Sequence, residues 1–155
     1  MNDTGGSNAV SVDLNEVMDY VKNTLSIEIK SKGAKITYSK LPSYYCYSTQ
    51  MKLVFQNIIQ NGIKYNNSKN PHIEVWSESK ADSITLFFRD NGIGVEEEFH
   101  DTIFKFFKRL HTKQDYDGSG IGLGVCKKII NRLEGTISIE SEKGKGSTFI
   151  VELPK

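Results

Sequence analysis

The sequence predicts a single domain of the α+β class, in which helices and hairpin-connected strands share one core. Its 155 residues are enough for one substantial core and too few for two comfortable domains. Three segments carry apolar side chains at the three- and four-residue spacing of a helix, and two pairs of short apolar segments flank turn sequences. No internal repeat or heptad pattern is visible, so the sequence does not indicate a solenoid or a coiled coil.

Charge and hydropathy argue against two classes of partner. The 20 basic and 19 acidic side chains nearly cancel, so no global field draws the chain to nucleic acid or to an anionic membrane. No apolar run approaches the ~20 residues needed to cross a bilayer, and no signal peptide opens the chain. We therefore expect a soluble, cytoplasmic fragment with no membrane insertion of its own, although the full-length protein could be membrane-anchored.

The two cysteines are expected to be reduced. Cys46 and Cys126 lie far apart in the sequence, and Cys126 falls inside an apolar helical run, where a small hydrophobic side chain packs well. We expect both thiols to lie in or near the core, without a disulfide.

The folded domain is expected to span residues 12–155. Residues 1–11 are rich in Gly, Ser and Asn and predict a flexible lead-in. From Leu14 the apolar positions follow a helical spacing as far as Gly33, a C-terminal stop signal, so we expect one amphipathic helix. The positions that carry this pattern are Val17, Met18, Val21, Leu25 and Ile29.

A short strand and a second helix come next. Residues 34–40 predict the strand, which Pro42 ends. Ser48 or Thr49 is expected to cap a helix that runs to about Tyr65.

Two hairpins and a third helix complete the predicted fold. Residues 72–78 and 83–89 predict strands joined by a turn at 81–82. Residues 123–133 predict a helix. The last hairpin pairs strands at 136–141 and 147–153 through the tight turn 142–146.

Segment 95–117 is polar and lies between the strand predicted at 83–89 and the third predicted helix. It contains one compact apolar cluster and predicts a loop with a short helical piece. The cluster consists of Ile103, Phe104, Phe106 and Phe107.

A polar stripe on the second helix indicates a ligand site. Asn57, Asn61 and Lys64 share one face at i, i+4 and i+7, opposite the apolar side. Solvent is the simpler explanation for any single asparagine. Magnesium, however, prefers hard oxygen ligands and keeps several waters, so one amide oxygen together with phosphate oxygens is a sufficient set. We therefore take Asn61 as the candidate metal ligand.

The motif at the end of the second hairpin strand indicates a base-binding site. The carboxylate of Asp90 would accept a hydrogen bond from an exocyclic amine such as N6 of adenine. Gly92 and Gly94 would let the backbone pass close to the ring. The alternative is an ordinary turn, since Asp-Asn-Gly is common at turns.

A glycine cluster before the third helix indicates a phosphate site. Successive amides at a positive helix end converge on phosphate oxygens. A hinge for segment 95–117, which would open and close over the nucleotide, is the other interpretation, and both uses are compatible. One of Lys105, Lys108 and Arg109 in that segment would neutralise charge on the γ-phosphate, with ordinary surface charge the alternative for the other two. The glycines are Gly118, Gly120, Gly122 and Gly124.

Taken together, these motifs resemble the catalytic ATP-binding domain of sensor histidine kinases, part of the ATPase superfamily that includes DNA gyrase and Hsp90. The resemblance covers nearly the whole chain from Asp13. Its boxes are similar to 53–65 (N box), 90–94 (G1 box), 104–110 (F box), 118–123 (G2 box) and 144–148. A narrower and less specific likeness to phytochrome-type kinases rests on 104–111 and 126–128.

The resemblance implies a two-layer α/β sandwich with a mixed, mostly antiparallel sheet packed on helices and a mobile ATP lid. It implies that Asn61 coordinates Mg²⁺, that Asp90 binds adenine and that Arg109 approaches the terminal phosphate of ATP. Gly62 departs from the family pattern, in which alanine is usual at this place. Further expected nucleotide contacts are Asn57, Lys64, Tyr65, Gly92, Gly94, Lys108, Gly118, Gly120, Ile121, Gly122, Leu123 and Thr148.

Asn57 favours a kinase over a hydrolase. The superfamily's ATP hydrolases carry a glutamate four residues before the metal asparagine as a general base. An amide at that place accepts no proton at neutral pH, so the γ-phosphoryl would await another nucleophile, with Asn57 and Arg109 as the catalytic candidates.

The resemblance also implies partners. In the kinase family the nucleophile is a histidine on a separate dimerisation domain, and a response regulator receives the phosphoryl group next. His72, His100 and His111 do not stand in such a context, so we expect no phosphoacceptor in this chain. The alternatives are an ATP hydrolase of the same superfamily and a nucleotide-sensing or degenerate module that binds a partner without transfer.

Overall fold

The residues that the structure describes form four α-helices and seven strands. The structure, a computed structural model, describes residues 8–105 and 122–155. The helices there are α1 (Leu14–Thr24), α2 (Ser26–Lys32), α3 (Ser48–Lys64) and α4 (Gly122–Arg132). The strands are β1 (Val10–Asp13), β2 (Lys35–Tyr38), β3 (Ser43–Cys46), β4 (His72–Ser79), β5 (Ser83–Asp90), β6 (Thr136–Ser141) and β7 (Ser147–Pro154).

The strands form a mixed, mostly antiparallel sheet. Its order is β2-β4-β5-β7-β6, and β1 pairs with β3 in a separate two-stranded sheet. β2 runs parallel to β4, whereas the other three neighbours of the large sheet are antiparallel. Both predicted hairpins, β4-β5 and β6-β7, are confirmed.

One face of the large sheet is buried against the helices. Period-two alternation gives β4, β6 and β7 a buried row and a more exposed row. The centre of the core is an edge-to-face contact between Phe55 of α3 and Phe88 of β5, with ring centroids 5.0 Å apart. The predicted sandwich of sheet and helices is confirmed.

The predicted single helix over 14–33 is wrong, because the chain turns at Leu25. The ψ angle of Leu25 is 15°, outside the helical range, and its side chain is buried. α1 buries four residues on one face, whereas none of the residues of α2 is buried. The side chain of Leu25 therefore lies in the core, against which α2 packs only its partly buried Ile29. Gly33 ends α2 at a φ of +64°, as predicted.

The N-terminal part of the domain also differs from the prediction. β1 begins at Val10, so the lead-in over 1–11 is wrong for its last two residues. β3 was not predicted at all. Neither Ser48 nor Thr49 caps α3, because the cap position is Tyr47, which makes no side-chain capping hydrogen bond.

Segment 95–117 is described only as far as Lys105. It contains two 3₁₀ turns, Glu97–Phe99 and Thr102–Phe104. Phe104 is buried edge-to-face on Phe149 of β7, with ring centroids 6.2 Å apart. The beginning of the predicted apolar cluster is therefore attached to the sheet, while Phe106 and Phe107 lie outside the described residues.

Cys46 and Cys126 are free and buried, which confirms the prediction of reduced core thiols. Across residues 8–105 and 122–155, no helix has the length and apolar character to cross a bilayer.

Candidate nucleotide site

The central helix α3 has one buried face and one polar face, as predicted. Asn57, Asn61 and Lys64 are half-buried on the polar side. The buried residues of the helix are Met51, Val54, Phe55, Ile58, Ile59, Gly62 and Ile63. The helix is thus held by the core while its asparagines remain accessible at the edge of the sandwich.

The carboxamide of Asn61 is available to a ligand. Asn61 is half-buried, and its side chain makes no hydrogen bond to any residue in the described part of the chain. A half-buried amide oxygen without a protein donor is a suitable ligand for a hard cation that keeps most of its waters. Asn61 therefore fits a magnesium ion that also binds phosphate oxygens.

Gly62 brings the metal-ligand helix against Asp90. A Cβ atom placed on Gly62 would lie 3.2 Å from Cβ of Asp90 and 3.0 Å from Cγ1 of Ile73. α3 therefore touches the end of β5 directly, one residue after Asn61. The neighbour of the candidate metal ligand in the sequence thus contacts the candidate base acceptor.

Asp90 is the last residue of β5 and is largely buried. One of its carboxylate oxygens, Oδ1, accepts a hydrogen bond from the backbone amide of Gly92 at 2.8 Å. Burial raises the pKa of Asp90 to about 6, although the backbone amides of Gly92 and Ser147 lower it. The ionised carboxylate has acceptor capacity left for an exocyclic amine.

The glycines after Asp90 make room for protein backbone, a reason that was not predicted, and their approach to a base stays a prediction. A Cβ atom on Gly92 would lie 2.5 Å from the carbonyl oxygen of Tyr65 and 2.9 Å from Oδ1 of Asp90. A Cβ atom on Gly94, whose φ is +74°, would overlap the carbonyl oxygen of Glu142. Both glycines therefore allow this loop to pack between α3 and the β6-β7 turn.

Strand register places Thr148 and Asp90 on opposite faces of the sheet, while the expected nucleotide contact of Thr148 stays a prediction. Residues directly opposite each other in an antiparallel pair share a face of the sheet. Asp90 lies opposite Ser147, while Thr148 lies opposite Arg89 on one side and Glu140 on the other. Ser147 is thus the residue of this motif on the same face as Asp90.

A pair of serine hydroxyls, not predicted from the sequence, supports this corner. Oγ of Ser141 and Oγ of Ser147 are 2.7 Å apart. The Ser141 hydroxyl also accepts from the amide of Val95 at 2.7 Å and donates to the carbonyl of Gly146 at 2.8 Å. No local sequence signal distinguishes these serines from ordinary turn residues.

Asn57 joins α3 to the start of α4. Its Nδ2 donates to the carbonyl oxygen of Gly122 at 3.3 Å. The thiol of Cys126, one turn further along α4, donates to the carbonyl of Val54 at 3.7 Å. Burial raises the pKa of Cys126 to about 12, although a hydrogen bond from Asn57 lowers it. The glycine-rich start of α4 is therefore next to the polar stripe of α3.

The other candidates divide into those that the structure describes and those that it does not. Lys64 ends α3 and Tyr65 follows it, with the Tyr65 carbonyl accepting from the amide of Ile93 at 3.0 Å. Leu123 packs half-buried against the core. The candidates outside the described residues are Lys108, Arg109, Gly118, Gly120 and Ile121.

A cavity of about 340 Å³ lies at the ends of β5, β6 and β7. Its lining includes Asp90 together with Arg89, Glu140 and Thr148, which belong to the opposite face of the sheet. No residue of α3 lines it. The cavity is therefore not the cleft beside the polar stripe of α3.

Comparison with known proteins gives the same family along most of the chain. Residues 46–155 match the family model described as histidine kinase-, DNA gyrase B- and HSP90-like ATPase. The phytochrome-like protein Cph1 of Synechocystis is 40% identical over 152 residues, which are 98% of this chain and 20% of that protein. Cyanobacterial phytochrome A of Nostoc is 41% identical over 149 residues, or 94% of this chain and 20% of that protein.

A solved structure agrees with these relatives. The catalytic domain of histidine kinase ThkA, in a nucleotide-free form, is 25% identical with a TM-score of 0.80, and the match covers 96% of this chain and 99% of that one. This chain therefore spans about one fifth of the length of its phytochrome relatives and the full length of a kinase catalytic domain.

Proposed function

This chain belongs to the histidine kinase-, DNA gyrase B- and HSP90-like ATPase family, and from that premise we propose that it binds Mg-ATP and phosphorylates a histidine of a separate dimerisation domain. The receiving histidine then passes the phosphoryl group to an aspartate of a response regulator. The observation that carries the proposal is the direct contact of α3 with Asp90 at Gly62, the residue that follows Asn61. A candidate base acceptor and a candidate metal ligand are thereby held on two elements in contact.

Each residue has a distinct part in the proposed site. The Asp90 carboxylate accepts from the adenine amine, and the fixed amides of Gly92 and Ser147 hold it ionised and oriented. The Asn61 oxygen is a ligand for Mg²⁺, which neutralises phosphate charge when bound. Lys108 and Arg109, together with the glycines at 118, 120 and 122, are the proposed phosphate contacts.

The identity of residue 57 favours transfer over hydrolysis. The Asn57 carboxamide is occupied as a donor to Gly122 and has no basic atom that would take a proton from water. The bond that breaks is the one between the γ-phosphorus and the bridging oxygen of ATP. The bond that forms joins phosphorus to a ring nitrogen of the incoming histidine, and ADP leaves.

A transfer experiment tests this proposal. The chain is mixed with γ-labelled ATP, magnesium and the purified histidine-bearing dimerisation domain of the same kinase. We expect acid-labile label on the dimerisation domain, none when its histidine is changed to glutamine, and none with Asp90→Asn in this chain. Release of inorganic phosphate without a labelled partner would indicate a hydrolase, and binding without either reaction would indicate a nucleotide-sensing module.

A further inference from the structure

Two asparagines behind the site form a fully bonded pair. Asn66 is 3% exposed, and both hydrogens of its Nδ2 have acceptors, the carbonyl of Gly62 at 3.1 Å and Oδ1 of Asn91 at 2.9 Å. Its Oδ1 accepts from the amide of Ser68 at 3.0 Å and from the Ser68 hydroxyl at 2.6 Å. An asparagine side chain has two donor hydrogens and two acceptor sites, so Asn66 uses its full capacity inside the protein.

Asn91 extends the pair to the first strand of the hairpin. Its Oδ1 accepts a second hydrogen bond, from the backbone amide of His72 at 2.8 Å, and its Nδ2 donates to the carbonyl of Asn70 at 3.0 Å. One carboxamide thus binds the start of β4, the loop after α3 and Asn66. Both side chains are engaged with the protein, so any effect on a nucleotide acts through other residues.

The location of the pair connects it to the two ends of the site. The Gly62 carbonyl that Asn66 binds belongs to the residue after Asn61, and Asn91 is the residue after Asp90. A backbone hydrogen bond from Ile93 to Tyr65, 3.0 Å long, runs beside the pair between the same two segments. The pair therefore ties the helix of the metal ligand to the strand end that carries the base acceptor.

We propose that Asn66 and Asn91 are positioning residues that fix Asp90 relative to α3, and thereby set the preference of the site for adenine. This inference rests on the proposed function. A carboxylate reads an exocyclic amine only if its free lone pairs point at that amine within hydrogen-bonding distance, so a small shift reduces selectivity. Loss of the pair removes the constraint on the shift without removing the carboxylate.

The hydrogen-bond donors and acceptors of the pair determine what each substitution tests. Asn66→Ala deletes the donors to Gly62 and Asn91 and takes away the acceptor of the Ser68 amide and hydroxyl, whereas Oδ1 of Asn91 keeps its hydrogen bond from His72. Asn91→Ala removes the same link from its exposed end, where folding is more tolerant. Asn66→Ala and Asn91→Ala remove the same hydrogen bond between the two side chains. The double variant should therefore bind nucleotide about as well as the single variant that binds it less tightly.

The test measures dissociation constants for ATP and GTP and the thermal unfolding of each variant. Cys46→Ala is the matched control, since Cys46 is equally buried and lies in the separate β1-β3 sheet. We expect Asn66→Ala and Asn91→Ala to weaken ATP binding about tenfold and to lower the ATP-to-GTP selectivity, whereas Cys46→Ala lowers the melting temperature with unchanged selectivity.

The outcomes separate this inference from the proposed function. If the wild-type chain binds neither nucleotide, the proposed function fails and the inference fails with it. If the wild-type chain prefers ATP and Asn91→Ala keeps the same affinity and selectivity, the pair has only a structural role and the inference alone is overturned. Asn91→Ala decides the matter if Asn66→Ala does not fold.

Discussion

The two ends of the candidate site are built differently. At the adenine end, around Asp90, the contacts between loops are short hydrogen bonds. At the phosphate end, the N–H···O hydrogen bond that joins α3 to the start of α4 is longer. The adenine-end distances are 2.8 Å for Gly92 to Asp90, 2.9 Å for Asn66 to Asn91 and 2.6 Å for Gly144 to Ile93, against 3.3 Å for Asn57 to Gly122.

This difference indicates which end of the site is held in place before a nucleotide binds. A hydrogen bond near 2.8 Å between buried partners fixes an orientation, whereas contacts beyond 3.2 Å constrain it weakly. We therefore expect the adenine end to be preformed and the contact between α3 and the start of α4 to be the more weakly constrained of the two. Substitutions should have larger effects at the first end than at the second.

The largest effect is expected from Asp90→Asn. An asparagine has one oxygen for the three donors that meet here, the amides of Gly92 and Ser147 and the adenine amine, so one donor loses its acceptor. An unpaired buried donor costs about 1–3 kcal/mol and the lost charge adds to this, so affinity for ATP should fall roughly 100-fold. Isothermal calorimetry measures it, with the exposed Asp82→Asn as the control.

The same variant should unfold at an equal or higher temperature than the wild type at pH 7.5. Burial of the Asp90 carboxylate opposes its ionised form, and the amide removes that cost. If Asp90→Asn bound ATP normally, or lost binding only together with its fold, the preformed adenine end would be wrong.

A smaller and metal-specific effect is expected from Asn61→Ala. Loss of one oxygen ligand should weaken Mg-ATP binding about tenfold, which is ~1.4 kcal/mol, and leave binding in excess chelator unchanged. The measurement is a pair of ATP titrations with magnesium and with chelator. Equal losses in both would contradict a metal role and would favour direct contact with the nucleotide.

How much of this was predictable from sequence depends on the range of the interactions. α3, β4, β5 and the last hairpin were predicted because their signals lie within one helix or one turn. β1 and β3 pair with each other, although α1 and α2 lie between them in the sequence. No turn sequence next to either strand indicates which strand it pairs with. The bend at Leu25 likewise depends on where the core ends.

The candidate site shows the same limit at single residues. Asp90 and Asn61 were selected as candidates because each lies in a recognisable motif. Ser147, which lies opposite Asp90, was not selected, because strand register decides which residue of this motif shares the face of Asp90. Asn66 belongs to none of the motifs selected from the sequence, and its bond to Asn91 becomes visible only when α3 and β5 are brought together.

Changing pH should move nucleotide binding and stability in opposite directions. Burial raises the pKa of Asp90 from 3.8 to about 6, so the folded chain holds a proton there that the unfolded chain has lost between about pH 4 and 6. The contribution of Asp90 to stability is therefore greatest at low pH and declines as pH rises through about 6. The ionised form binds adenine, so affinity should fall about tenfold for each pH unit below about 6.

The check on the pH prediction is chemical unfolding at pH 5 and pH 7.5 for the wild type and Asp90→Asn. The wild type should gain stability toward pH 5 relative to the variant, which has no titrating group at this position. A constant difference between the two proteins at both pH values would show that the raised pKa of Asp90 is absent in solution.

The smallest effect is expected at the phosphate end, from Asn57→Ala. It removes one 3.3 Å hydrogen bond to Gly122, worth about 0.5–1.5 kcal/mol, so ATP affinity should fall roughly threefold to tenfold. Asn57→Asp is the matched variant, since it keeps the shape but turns an oxygen toward the Gly122 carbonyl. Repulsion should make it weaker than Asn57→Ala. An aspartate variant that binds like the wild type would show that Asn57 does not hold α4, and that the two ends differ less than their distances indicate.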